Sequence, residues 1–238
     1  MSYTQADYRR LLEQLAAQGD AAYRAFTEKL SPGVTDSYGV RLPALQKIAR
    51  DLARSPEWEG FLALAGTDSR EERLLQGLVV AAAPCEIDKK LVYTRSFLPV
   101  MNSWEVVDTF CAAFKDAARY PEPVRAFIRP LAAPDNPVFT RRFALVMRMD
   151  YFINDAYIEE TLDILVHASS QDYYVQMAAA WALSVCFVKY RSLTLPLLEK
   201  FLPDPVTCRR AIQKIIESRR VSPQDKLLLK ELRRSCPS

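Results

Sequence analysis

The chain has 238 residues, of which 50% are apolar and 26% charged, with a net charge of +3. That is ordinary composition for a soluble globular protein, and the charge is too small to argue for nucleic acid by itself. No run of 18 apolar residues offers a membrane span, and a single histidine, His167, excludes a His-rich metal site.

In chain order, MSYTQADYRRLLEQLAAQ opens the sequence. It is polar and helical in pattern, without the apolar stretch of a secretion signal, so the expected location is cytoplasmic, with the nucleoid if the source is bacterial. A helical pair is expected over about 1–35, with SPGVTDSYGV (31–40) as the most loop-like segment. LPALQKIARDLA and ERLLQGLVVAAA then carry apolar residues at spacings of three and four. Trp58, among charges in SPEWEGF, reads as structural. The same spacing recurs in TRRFALVMRMDYF, YIEETLDILVHA, VQMAAAWALSVCF and LLLKELRR. No NG or DG hairpin dipeptide occurs, and all six glycines fall at or before Gly77. Phosphate-binding glycine loops are absent, and later helix ends must rest on proline and polar caps. Helix pairs are expected to start near residues 41, 69, 102, 136, 173 and 205. That spacing is the range of helical-repeat arrays. The expected fold is all-α: a single domain over 1–238, a solenoid of antiparallel helix pairs (repeats about 38–235) with a concave face. His167 closes an apolar helix and reads as structural or capping. Five scattered cysteines without a CxxC pair read as reduced thiols.

Three segments resist a purely structural reading. In NSWEVVDTF (102–110), Trp104 and Asp108 lie four apart and share a helix face. Asn102 and Glu105 fit a capping box, so Asp108 is not needed as a cap. It either faces solvent, pairs with a neighbouring arginine, or does chemistry. PVFTRRFALVMR (137–148) holds Arg141, Arg142 and Arg148 with no acid, leaving its arginines for an outside anion. YYVQMAAAWALSVCFVKY (173–190) sets three alanines before Trp181, which reads either as core or as a surface for close approach. Charge is also uneven: 21 Lys/Arg against 24 Asp/Glu over 1–190, but 11 against 5 over 191–238. Arg209, Arg210, Lys214, Arg219 and Arg220 are either a solvated basic surface or phosphate contacts.

WEVVD, RRFALVM and YYVQMAAAWALS, in this order and spacing, resemble the DNA alkylation repair family of HEAT-like-repeat glycosylases, the AlkD-like proteins. YGVRLPALQKIAR (38–50) and AIQKIIESRRV (211–221) extend the resemblance over most of the chain. The resemblance implies a monofunctional glycosylase for cationic N3- and N7-alkylpurines in double-stranded DNA, with the base left stacked rather than flipped. It implies Asp108 as catalytic carboxylate and Trp104 and Trp181 as the aromatic pair flanking the damaged nucleotide. Arg142 matches the DNA-contacting arginine, with Arg141 the neighbouring alternative. Arg148, Arg209, Arg210 and Lys214 are further candidates for phosphate. The chain departs from the family at Ala182, Leu183, Ser184 and Val185, where better-studied members carry charges. Relatives lacking the aspartate lack the activity; this chain keeps it. No metal, cofactor, membrane or obligate protein partner is expected, and the chain is expected to be monomeric. The alternatives are a non-catalytic binder of DNA structure and a protein-interaction scaffold.

Overall fold

The computed structural model describes residues 3–31, 35–168 and 170–237, so part of the 31–40 segment lies outside the described residues. Among the described residues the chain is all-α, with no strand. The helices fall into two compact units, Met1–Val124 and Arg125–Ser238.

The first unit holds α1 (Gln5–Ala17), α2 (Ala21–Leu30), α3 (Leu42–Arg54), α4 (Trp58–Leu64), α5 (Arg70–Ala82), α6 (Ile87–Phe97), α7 (Trp104–Ala113) and α8 (Asp116–Arg119). The unit boundary falls within α9 (Pro121–Ile128). Helices α3, α5 and α7 lie side by side, backed by α4 against α3 and α5 and by α6 against α5. Their shared core is Leu45, Ala49, Leu75, Val79, Val107 and Phe110, the three-and-four spacing of each segment turned inward. Gly77 sets one approach: a Cβ there would meet the Phe97 ring at 2.8 Å and Phe110 at 3.3 Å. Trp58 is buried edge-on against Tyr93, with centroids 5.1 Å apart, which is the structural role expected of it.

The second unit holds α10 (Val138–Tyr151), α11 (Ile158–Val166), α12 (Tyr173–Lys189), α13 (Arg191–Glu199), α14 (Pro205–Glu217) and α15 (Pro223–Ser235). Helix α12 is its axis, packed by α10, α11, α13 and α14, with α15 on α14. Ala178, Ala179, Ala180 and Ala182 are fully buried, so the small-residue run serves close helix approach.

Six helices open at Leu42, Arg70, Trp104, Val138, Tyr173 and Pro205, each within two residues of the expected starts. In the glycine-free part, polar caps and prolines set some helix starts, whereas α11, α12 and α13 open without a side-chain cap or proline. Asp204 caps α14 ahead of Pro205, and Ser222 caps α15 ahead of Pro223. His167 terminates α11, its Nδ1–H donating to the Asp163 carbonyl at 2.7 Å.

Candidate nucleic-acid interface

Helix α7 begins one residue later than the capping-box reading allows. Ser103, not Asn102, is the cap, its hydroxyl accepting from the Val106 N–H at 3.4 Å. Glu105 is then free of capping and takes a different partner. Arg70 on α5 grips it with both arms, Nε–H donating to Oε2 at 2.7 Å and an Nη donating to Oε1. Arg70 is 2% exposed and also donates to Glu71 at 3.0 Å and to the Val40 carbonyl at 3.2 Å.

Glu71, fully buried, accepts from the Ser37 hydroxyl at 2.9 Å and from the N–H groups of Tyr38, Gly39 and Val40 at 3.0–3.1 Å. Gly39 supplies the left-handed conformation (φ +84°) that turns these N–H groups onto one carboxylate. One buried network therefore ties segment 37–40, α5 and α7 together. Burial works against the Arg70 charge, but Glu105 and Glu71 outweigh it and hold its pKa above the ordinary value. REER (70–73) is not among the site residues expected from the sequence; all four side chains are buried, which only paired charges tolerate.

Trp104 and Asp108 lie one turn apart on α7, both partly exposed. The Trp104 indole N–H donates to the Leu30 carbonyl at the end of α2, at 3.2 Å. That bond fixes the ring plane from the edge and leaves the ring faces unused by it.

In the second unit, α12 is buried around most of its circumference. One stripe reaches solvent, formed by Tyr173, Met177, Trp181 and Val185 at every fourth position. Trp181 is 38% exposed, so the core reading of this residue does not hold. It borders an open cleft of about 340 Å³ lined on the α14 side by Lys214, Glu217 and Ser218, with Arg220 just beyond. The Ser184 hydroxyl, also on the cleft, donates to the Trp181 carbonyl at 2.7 Å. Up the same groove the Arg210 guanidinium covers the Tyr173 ring at 4.8 Å and donates to Gln176. Aromatic faces on α12 thus run beside cations on α14, the pairing used to hold stacked bases and their phosphates.

The α10 arginines are less available than an acid-free segment implied. Arg142, 5% exposed, donates to the Tyr174 carbonyl at 2.9 Å. Arg141 donates to the Ser170 hydroxyl at 3.2 Å and the Ala168 carbonyl at 3.4 Å, and burial lowers its pKa. Both serve the entry to α12. Arg148 is fully buried and faces Glu160 on α11, away from this groove. Arg209 holds the carbonyls of Cys236 and Pro237 at 2.8 and 2.9 Å, which makes it a clamp on the C-terminal segment. Of the C-terminal cations, Lys214 and Arg220 line the Trp181 cleft and Arg210 extends it.

Among the described residues there is no group of three or more His, Cys, Asp or Glu side chains that could hold a metal. No helix among them is long and apolar enough to cross a membrane. A family model described as DNA alkylation repair enzyme matches residues 11–233, nearly the whole chain. No curated protein and no solved structure matches it.

Proposed function

We propose that this chain, which belongs to the DNA alkylation repair enzyme family, is a monofunctional glycosylase that releases cationic alkylpurines from double-stranded DNA. The observation that carries the reading is Trp181. It is a partly exposed indole on an otherwise buried helix, beside a cleft edged by Lys214 and Arg220.

The chemistry needs little from the protein. Cleavage of an N-glycosidic bond passes through an oxocarbenium-like sugar. An ordinary purine must be protonated to leave, which calls for a general acid. Alkylation at N3 or N7 already places a positive charge on the base. When the C1′–N9 bond breaks, its electron pair neutralises the purine. Water adds to C1′ and its proton passes to the carboxylate and then to solvent. The protein's tasks are to stabilise positive charge on the sugar and to aim the water. Asp108, partly exposed beside Trp104, suits both. Indole faces such as those of Trp104 and Trp181 attract a cationic nucleotide by roughly 0.5–2 kcal/mol each, which favours charged lesions over normal purines. A base left in the stack needs no extrusion pocket, so this arrangement differs from flipping glycosylases. In sequence the nearest lysines are Lys115, seven residues beyond Asp108, and Lys189, eight beyond Trp181; Lys189 and Lys214 line the Trp181 cleft, and the scheme gives neither a Schiff-base step.

The test is release of base from duplex DNA carrying 7-methylguanine, scored as free base and as alkali-labile abasic sites. Wild-type protein releases it, and Asp108→Asn slows release by about two orders of magnitude or more while still binding DNA. No release by wild type sinks the enzyme reading in favour of a DNA-structure binder. Undiminished release by Asp108→Asn keeps the enzyme and removes this role for the carboxylate.

A further inference from the structure

A second cationic cluster lies in the Arg125–Ser238 unit, outside the Trp181 groove, and the proposed reaction makes no use of it. Its centre is Glu160 near the start of α11. Arg125 Nη1 donates to both Glu160 oxygens at 3.2 Å. Arg129 Nε and Arg148 Nη1 also point at this carboxylate, but from 3.7 and 3.6 Å, beyond hydrogen-bond reach. Exposure falls steadily through the cluster: the side chains of Arg129, Arg125 and Arg148 are 68%, 30% and 0% exposed.

Arg148 is the anomaly. All three guanidinium nitrogens are buried, and none has a hydrogen-bond acceptor within reach. Five N–H donors on a group that stays charged at any ordinary pH are not left bare in a protein interior without large cost. Glu160, the carboxylate that Arg148 faces, already serves Arg125. What is missing is an acceptor, and the local charge says it is negative. Planar guanidinium forks pair best with oxyanions that accept two parallel N–H bonds.

We propose that Arg129, Arg125 and Arg148 form a binding site for a phosphate-type oxyanion, entered past Arg129 with Arg148 at its floor. The oxyanion is either inorganic phosphate from solution or a backbone phosphate of DNA. The site stands whether or not the chain cleaves a glycosidic bond.

The experiment uses the full-length protein and inorganic phosphate, added at constant ionic strength against chloride. The melting temperature of wild type rises with phosphate and saturates, as binding to the folded state alone requires. The rise is lost in Arg148→Met and reduced in Arg129→Gln. The rim variant keeps the test valid if Arg148→Met does not fold. Binding of undamaged duplex DNA at several salt concentrations separates the two sources. If the oxyanion belongs to DNA, Arg129→Gln lowers the slope of log K against log salt by about 1 and phosphate competes with duplex. If it is free phosphate, that slope is unchanged while the thermal effect persists. A phosphate effect equal in wild type and both variants reflects general salting and overturns the site. No saturable rise in wild type, together with an unchanged slope in Arg129→Gln, overturns it as well.

Discussion

Replacing Glu105 with alanine tests whether the buried charges of the first unit hold α7 in place. The substitution removes both hydrogen bonds that Arg70 makes to that carboxylate. Arg70 is 2% exposed and cannot recover them from water. Breaking a buried pair by deleting one partner costs roughly 3–5 kcal/mol. Arg70 keeps Glu71 at 3.0 Å and the Val40 carbonyl at 3.2 Å, and the Glu105 side chain is itself 17% exposed. These place the loss at the low end, about 3 kcal/mol. The favourable first-turn charge on α7 adds a few tenths. For a chain of this size each kcal/mol moves the melting point by about 2–4 °C, so the expected drop is roughly 6–12 °C. The functional readout is single-turnover release of 7-methylguanine at a temperature where the variant is folded. Glu105 lies between Trp104 and Asp108 on the first turns of α7, and a displacement of even 1 Å there lowers the rate by up to about a hundredfold. Glu105→Gln keeps an acceptor for one of the two bonds and falls between. A melting change under about 2 °C in Glu105→Ala would refute the tie between α5 and α7. A full rate in a folded, destabilised variant would refute its positioning role.

Gly77→Ala drives a methyl group to 2.8 Å from the Phe97 ring and destabilises the first unit by about 1–3 kcal/mol, measured by urea denaturation. Lys214→Ala lowers the salt dependence of duplex binding by about one phosphate contact, whereas Arg209→Ala leaves it unchanged, because Arg209 is engaged with the C-terminal carbonyls. Asp225 is held below its usual 3.8, first by its hydrogen bond from Arg191. A carboxyl lowered on folding stabilises above its unfolded pKa and loses that contribution as pH falls through the folded value. Asp225→Asn therefore lowers stability slightly at neutral pH, leaves it unchanged in acid where the wild-type carboxyl is protonated, and so flattens the acid limb of a denaturation curve below about pH 4. Burial pushes the Cys186 and Cys208 thiols up to about 12, so neither is alkylated by iodoacetamide at pH 8 until the chain unfolds.

The helical class and the six pair starts were legible because they rest on a local signal. Apolar residues every three or four positions, with prolines and polar caps between them, report directly on which face each helix buries. Trp181 shows the limit of that signal. An uncharged run such as MAAAWALSVCF has almost no amphipathic contrast, so periodicity cannot say which residue escapes burial. The answer depends on how closely α10 and α14 approach the alanines, and on where α14 leaves a gap beside the indole. Charged residues were misjudged for the mirror-image reason. A sequence presents arginine and glutamate as surface until their partners are known, and the partners here are far away. Arg70 meets Glu105 thirty-five residues on, and Arg141 and Arg142 meet the backbone leading into α12. The absence of acids within 137–148 was a sound observation, but it counted only carboxylates. Backbone carbonyls near a helix start are acceptors too, and two arginines found them. An acid-free arginine helix is therefore evidence for ligand binding only where the guanidinium donors outnumber every acceptor within reach, main chain included. In this chain Arg148 is the arginine of α10 whose three guanidinium nitrogens are all buried without a hydrogen-bond partner. The residue that the linear reading ranked with the groove is the one whose surroundings ask for an anion of their own.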